Sequence, residues 1–146
     1  MSATLIKMAE DADLILAGST YQPLAANVAE FYGIPLSVLH HFSQRRNRVI
    51  LADSIPSLLA KPIWDIAEWT YWQLLKPAEQ TQRKTLGLKS TIVNPFQRMQ
   101  EQGALEIQAY DEALFPGISK EFGPQRPVVG AISLETNYQD DEAALE

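Results

Sequence analysis

The feature that most constrains the fold is a strand–helix–strand pattern near the start of the chain. A short apolar run, Leu14–Ala17, is followed by a turn and then by a helix that begins near Tyr21 and ends at Gly33. A second apolar run, Leu36–His40, comes directly after the helix. A continuous apolar run of this length is typical of a parallel strand buried on both faces. The pattern therefore predicts two parallel strands joined by a helix, and hence the α/β class.

The helices near this unit carry their own start and core signals. Ser19 or Thr20 is predicted to cap the second helix, with Pro23 in its first turn. We expect this helix to turn three residues toward the core: Leu24, Val28 and Phe31. An earlier helix over Ala3–Asp11 is expected to place Leu5, Met8 and Ala12 on one face.

The rest of the chain predicts helices followed by two more strands. Residues 41–61 lack periodicity, and we expect a loop there. The predicted elements that follow are a helix over Ile63–Leu75, a fresh helix over Ala78–Leu86 after Pro77, a short helix started by Asn94 and running to Gln102, a strand over Leu105–Tyr110 with one wetter face, and a strand over Val128–Ile132. A rigid, irregular connection rich in proline and glycine should join those two strands. The expected result is a mostly parallel sheet with flanking helices.

Composition excludes several function classes. The chain has no cysteine, which rules out disulfides, thiolate metal sites and a cysteine nucleophile. A net charge of −6 argues against a nucleic-acid partner, which needs Lys and Arg against its phosphates. No apolar run has the roughly 18 to 20 residues that span a bilayer, and we find no signal peptide. We expect a cytoplasmic protein.

Two histidines, His40 and His41, lie at the carboxyl end of the second predicted strand. Ligands of open α/β sheets bind outside that edge, which favours a site there. Neighbouring strand residues point to opposite faces, so the pair cannot converge on one metal ion. The alternatives are one histidine lining a pocket, or one buried imidazole and one at the surface. No metal site is predicted.

Two other groups of residues near this edge leave functional and structural interpretations open. The turn with Ser19 and Thr20 lies at the end of the neighbouring strand and can bind polar groups or only cap the helix. The loop with Arg45, Arg46 and Arg48 can meet an anion, although a solvated loop is the simpler interpretation. The aromatic residues Trp64, Trp69, Tyr71 and Trp72 spread around one helix, so at least one should face a cleft, a lipid-like molecule that the protein accepts, or another chain.

Four segments in this order resemble family 1 glycosyltransferases of bacteria and fungi: Ala12–Gly18, Ala29–Pro35, Gln82–Leu88 and Pro127–Ile132. In that family, a strand of the type A-D-L-(V/I)-(V/I)-x-(G/S) precedes (V/I)-A-E-x-x-G-I-P. Further along come the end of a long helix, N-x-x-R-x-x-L-G-L, and a strand before the linker to the second lobe. The chain is most similar to sterol, antibiotic and glycolipid glucosyltransferases of actinobacteria.

The resemblance implies an incomplete amino-terminal, Rossmann-like lobe of a two-lobed GT-B enzyme. Residues 1–134 would be part of the acceptor-binding domain, and residues 135–146 the start of the interdomain linker. The catalytic base and the lobe that binds the nucleotide-sugar donor would lie outside the chain, so no catalytic or cofactor-binding residue is assigned. The implied acceptor-binding residues are Ser19, Thr20, His40, His41, Phe42, Arg45 and Trp64. The implied partners are a small hydrophobic acceptor, the second lobe and a membrane surface met peripherally.

Two hypotheses follow from different classes. The first is a glycosyltransferase fragment, inactive alone, from an enzyme that transfers a hexose from a nucleotide sugar to a hydroxyl of a sterol, glycolipid or natural product. The second is a free-standing flavodoxin-like binding domain whose aromatic helix is the contact surface. The chain opens in a helix and ends in a strand followed by an acidic segment, Glu135–Glu146, and both features favour the fragment.

Overall fold

The computed structural model describes residues 2–49 and 56–132, which form a three-stranded parallel sheet with flanking helices. The elements are α1 (Ser2–Met8), β1 (Ile15–Gly18), α2 (Gln22–Tyr32), β2 (Leu36–His40), α3 (Ser57–Thr85), α4 (Pro95–Glu101), β3 (Leu105–Gln108), a 3₁₀ turn (Glu112–Leu114) and α5 (Ile118–Phe122). The strand order is β1-β2-β3, with Ile15 opposite Leu36 and Ser37 opposite Leu105. The α/β, Rossmann-like class is confirmed.

The β1–α2–β2 unit forms as the sequence predicts, except at the helix start. Tyr21 is the N-cap, and no side chain caps the helix. The prediction of a Ser19 or Thr20 cap is therefore wrong, because the Gln22 side chain donates instead to the Ser19 carbonyl at 2.6 Å. At the other end Gly33 has φ +67°, a conformation that favours glycine and ends the helix.

The main core lies between the sheet and helices α1, α2 and α4. Val28, Val38 and Met99 are fully buried in it. Phe31 is 44% exposed, so this predicted core position is wrong. Small residues occupy the inner faces instead, namely Ala9, Ala25, Ala26 and Ala29, which lets the backbone approach the sheet closely.

The two strands of this unit differ in burial. β2, the predicted second apolar strand, is buried almost throughout. β1 alternates, with Ile15 buried and Leu16 62% exposed, so the predicted burial of this strand on both faces is wrong. Among the described residues, β1 lies at one edge of the sheet, and none of them covers its outer face enough to bury Leu14 or Leu16.

Helix α3 is one continuous helix of 29 residues that contains both Pro62 and Pro77. The sequence predicted a helix start at Ile63 and a break at Pro77, and both predictions are wrong. A proline inside a helix removes one hydrogen bond and crowds the preceding turn. Here the turns on either side of Pro77 are linked by a side chain, because the Trp72 indole N–H donates to the Glu79 carboxylate at 3.2 Å.

A buried polar network fixes α3 against α2 and α4. Arg83 donates to both carboxylate oxygens of Glu30 at 2.7 and 2.9 Å, and Arg98 donates to Glu79 at 2.8 Å. The side-chain amide oxygen of Asn27 accepts from both arginines, at 2.9 and 3.1 Å. The hydrogen bonds from Arg83 lower the pKa of Glu30 despite its partial burial, and burial lowers the pKa of Arg98. The three helices are thus held by charges that compensate each other inside the protein.

Strand β3 turns its polar side chains inward. Glu106 and Gln108 are buried, whereas Leu105 is 41% exposed, so the face predicted to be wetter is the buried one. The physical reason is that Glu106 has cationic partners on other segments, which the sequence pattern does not reveal.

The last predicted strand is shorter than expected. It is reduced to a parallel bridge between Gln108 and Val128, flanked by a hydrogen bond from the Gln108 N–H to the Pro127 carbonyl at 2.8 Å. The connection before it contains the 3₁₀ turn and α5, where Tyr110, Ile118 and Phe122 form a second small core.

The Asn94 cap of α4 is confirmed, since its side chain accepts from the Phe96 N–H. The predicted acidic linker lies outside the described residues.

Within residues 2–49 and 56–132, none of the helices combines the length and the apolar character needed to cross a bilayer.

Replacing Arg83 with methionine should destabilise the chain by about 3 kcal/mol, because removing one partner of a buried ion pair leaves the other charge uncompensated. Arg83 is buried and bridges Glu30 and Asn27. The free energy of unfolding in urea measures the loss. Arg48→Met is the matched control, since its side chain is 72% exposed and its pair with Glu121 should contribute under about 1 kcal/mol. Equal losses in the two variants would contradict the assignment of the network as structural.

Candidate functional site

A cleft of about 350 Å³ opens beside the carboxyl end of the sheet. It lies between the segment that follows β2, the first residue of α2, the first half of α3 and the start of α4. Its lining residues are Gln22, Phe42, Ser43, Gln44, Arg45, Trp64, Ala67, Glu68, Tyr71 and Phe96. We call it the aromatic cleft. Three residues predicted to bind an acceptor therefore meet here: Phe42, Arg45 and Trp64.

Aromatic rings form the walls of the aromatic cleft. Tyr71 and Phe96 are stacked, with ring centroids 5.7 Å apart and an interplanar angle of 16°. The Trp64 indole N–H donates to the Asn47 carbonyl at 2.7 Å, which fixes the orientation of that ring. Phe42 is 57% exposed at the mouth. Rings held in this way present apolar surface to a ligand without a large loss of side-chain entropy.

Arg45 lies at the floor of the cleft and is only 3% exposed. Its Nε donates to the Glu106 carboxylate and its Nη2 donates to the Gln22 side-chain oxygen. Its guanidinium carbon lies 4.5 Å from the centre of the Phe96 ring. The interpretation of this stretch as a solvated loop is therefore wrong for Arg45. A buried arginine needs a partner of opposite charge, and Glu106 on β3 supplies it.

Glu106 accepts from three residues that come from different parts of the chain. Besides Arg45, they are His40, whose Nε2 lies 3.2 Å from Oε2, and Arg126, whose Nε lies 3.2 Å from Oε1. An ionised carboxylate only accepts hydrogen bonds, so His40 must carry its proton on Nε2. Burial raises the pKa of Glu106, but the His40 hydrogen bond and the two arginine charges outweigh it and lower the pKa to about 2.

Burial lowers the pKa of Arg45, and the nearby Glu106 carboxylate opposes that shift. Both groups therefore stay ionised at neutral pH, and the floor of the aromatic cleft is a compensated ion pair.

The four other predicted site residues lie outside the lining of the aromatic cleft. His40 is fully buried behind Glu106, and His41 is exposed, which matches the interpretation of one buried imidazole and one at the surface. Thr20 is exposed, and Ser19 contributes its carbonyl, which holds the Gln22 side chain. Direct contact of these four residues with a ligand stays a prediction.

Sequence reasoning did not single out Gln22, Phe96 or Glu106 as site residues. Gln22 and Phe96 each belong to the first turn of a helix, where only capping signals were considered. Glu106 belongs to a strand that alternates apolar and polar residues, a pattern that predicts the polar face outward. The signal that could have found them is long-range: a buried Arg45 requires a carboxylate.

The described residues offer no metal site of the usual kind. Within residues 2–49 and 56–132, no three or more His, Cys, Asp or Glu side chains are grouped so that they could hold an ion.

The Glu106 carboxylate should make stability depend on pH in the acid range. Its pKa of about 2 is lower than in the unfolded chain, about 4.3, so its contribution is present above the unfolded value and is lost as pH falls toward 2. The expected contribution is about 3 kcal/mol.

In Glu106→Gln, this part of the stability is missing at every pH, so the gap from the wild type should narrow as pH falls from 5 to 2.5. Urea unfolding at several pH values measures the gap. Glu10→Gln, at an exposed carboxylate, controls for the change in net charge. A gap for Glu106→Gln that stays constant with pH would contradict the ion-pair assignment.

Comparison with known proteins gives relatives that are similar to nearly all of this chain. Uncharacterized glycosyltransferase Rv1524 of Mycobacterium tuberculosis is 42% identical over 146 residues, which are 99% of this chain and 35% of the relative. Uncharacterized glycosyltransferase ML2348 of Mycobacterium leprae is 43% identical over 148 residues, with 99% and 35% covered. Uncharacterized protein Mb1553c of Mycobacterium bovis is 40% identical over 144 residues, with 97% and 34% covered. No family model matches the chain.

The chain thus spans about a third of the length of the curated relatives it matches. It is similar, over nearly all of its residues, to one part of proteins named uncharacterized glycosyltransferases.

Proposed function

We propose that this chain is part of the acceptor-binding lobe of a glycosyltransferase, and that the aromatic cleft holds the acceptor. The observation that carries the proposal is the aromatic cleft itself, an apolar concavity with a few polar groups at the ligand-binding edge of a parallel sheet. The names of the relatives support glycosyl transfer as the reaction class. The lining supports a hydrophobic acceptor that bears a hydroxyl group.

The acceptor's apolar part would lie between the walls. Phe42, Trp64 and the stacked pair of Tyr71 and Phe96 offer ring faces and edges to it. Gln22 and Arg45 at the floor offer hydrogen-bonding groups to a hydroxyl. A ligand with one polar end and an apolar body satisfies both surfaces.

The reaction requires more than the acceptor. In transfer, the acceptor oxygen attacks the anomeric carbon of a nucleotide-linked hexose, the nucleoside diphosphate leaves, and a base takes the hydroxyl proton. In this proposal the chain contributes only acceptor binding and orientation. The base and the nucleotide-sugar site belong to other parts of a GT-B enzyme, and residues 135–146 begin the linker between its lobes. The proposed setting is cytoplasmic, with peripheral membrane contact where the acceptor is a lipid.

A binding or interaction domain without catalysis is the second candidate, and the surface of α3 favours it. Several apolar side chains of this helix are exposed, among them Leu58 at 85%, Ile66 at 65% and Leu74 at 75%. A protein partner that covers this surface would account for them. If the chain is such a domain, replacing residues that line the aromatic cleft should not change the binding of small molecules.

Binding of 1-octanol, a hydroxyl-bearing apolar probe, tests the acceptor proposal in the 146-residue chain. Calorimetry should detect binding of octanol to the chain and no binding of uridine diphosphate glucose. Tyr71→Ala and Phe42→Ala should each weaken octanol binding by roughly tenfold, because each removes an aromatic contact worth about 1 kcal/mol or more.

Leu74→Ala is the matched control for these variants, since it also loses an exposed apolar side chain, lies on the same helix as Tyr71 and is outside the cleft lining. The proposal fails if octanol does not bind, or if Leu74→Ala weakens it as much as the cleft variants do.

A further inference from the structure

A second cleft, of about 460 Å³, adjoins the aromatic cleft. Arg45, Glu68 and Phe96 line both. Side chains of α3, α4 and the segment after α5 complete the second cleft, and most of them are polar. We call it the polar cleft. Because the two clefts share three lining residues, they lie next to each other.

The charges in the polar cleft are balanced. Three arginines, Arg45, Arg46 and Arg126, face three acids, Asp65, Glu68 and Glu121. Each arginine also has an acidic partner within reach: Arg46 lies 2.7 Å from Asp65, and Arg45 and Arg126 both contact Glu106. Glu121 is paired in turn with Arg48 at 3.2 Å. Paired charges give no net field for an anion such as a phosphate, but they leave donors and acceptors side by side.

The uncharged residues of the polar cleft favour a polyhydroxylated ligand. Asn94, Gln97 and Gln100 bring side-chain amides, which have both donor and acceptor atoms. The Asn94 oxygen already accepts from the Phe96 N–H and the Gln97 nitrogen already donates to Glu101, so the ligand would meet chiefly the Asn94 nitrogen, the Gln97 oxygen and the whole amide of Gln100. The hydroxyl groups of a sugar also donate and accept, so they match amides and paired charges better than a phosphate or a carboxylate does. Trp69, on α3, also lines this cleft and is 58% exposed, which leaves its indole surface open to the C–H groups of a sugar ring.

We propose that the polar cleft binds a sugar ring that the acceptor already carries, so that the acceptor is an amphipathic glycoside. This inference rests on the proposed function, because it places the apolar part of the same molecule in the aromatic cleft. The shared residues Arg45 and Phe96 then lie at the junction between the apolar part and the sugar. The hexose of the donor is the other source of a sugar ring, and the experiment separates the two.

Calorimetry with three probes that share one alkyl chain tests the inference in the 146-residue chain. The probes are 1-octanol, octyl β-D-glucoside below its micelle concentration, and the octyl ether of triethylene glycol, which is polar but has no sugar ring. The glucoside should bind about tenfold more tightly than the other two, because only its ring satisfies the amides and Trp69 together.

Two variants locate this gain in the polar cleft. Trp69→Ala and Gln100→Ala should each bring the affinity for the glucoside down to that for octanol and leave octanol binding unchanged. Both side chains are exposed, so folding should persist, and urea unfolding checks it. Gln102→Ala is the matched control, because this exposed glutamine follows the same helix and does not line the polar cleft.

The possible outcomes separate the two proposals. If octanol binds and the glucoside binds no more tightly, the polar cleft does not hold a sugar, and the proposed function stands. The inference is overturned if uridine diphosphate glucose displaces the glucoside and if Gln100→Ala no longer binds uridine diphosphate glucose. The sugar in the polar cleft is then that of the donor. If octanol itself fails to bind, the proposed function falls first.

Discussion

The buried carboxylate of Glu106 is the group on which the aromatic cleft depends. It accepts from Arg45 on the segment after β2, from His40 at the end of β2 and from Arg126 after α5. Without it, Arg45 would be an uncompensated charge at 3% exposure, and the protein would have to expose it or lose stability. Because Arg45 also holds Gln22 and packs over Phe96, the carboxylate of one strand fixes the start of α2 and the start of α4. The shape of the cleft therefore follows from an ion pair beneath it.

The second buried network has a different consequence, since it concerns the motifs on which the family resemblance rests. Glu30 belongs to the segment Ala29–Pro35 and Arg83 to the segment Gln82–Leu88. The two side chains form a bidentate ion pair at 2.7 and 2.9 Å. Asn27 and Arg98 extend the pair toward α4. These motif residues join helices and do not line the aromatic cleft. The resemblance therefore concerns residues that hold the helices together, whereas the residues that line the aromatic cleft are a separate set.

The parts of the structure that the sequence predicts are those with local causes. The turn at Gly33, the cap at Asn94 and the apolar run of β2 each follow from a few adjacent residues, and each is found as expected.

The wrong predictions have long-range causes. Pro77 predicts a break in the helix. The structure has a continuous α3 instead, which is stabilised by side-chain hydrogen bonds on both sides of Pro77 and between α3 and the neighbouring helices. The alternating pattern of β3 predicts that Glu106 faces solvent. The pattern does not show that its partners Arg45 and His40, which lie 61 and 66 residues away in the chain, bury it. For the same reason, Phe42, Arg45 and Trp64 could be named as candidates, but their meeting with Gln22, Tyr71 and Phe96 could not.

The position of Arg45 also restricts how a ligand can lie in the protein. Its guanidinium borders both clefts, and two of its donors are already used by Glu106 and Gln22. An anionic ligand group placed there would compete with the Glu106 carboxylate for the charge of the same buried arginine, and it would have to lose its own hydration. A neutral oxygen, such as a hydroxyl or a glycosidic ether, brings no charge into this ion pair and can accept from one of the three N–H donors of Arg45 that remain. The buried ion pair thus favours an uncharged polar group at the junction, with apolar surface on the side of Tyr71 and hydroxyl groups on the side of Gln100.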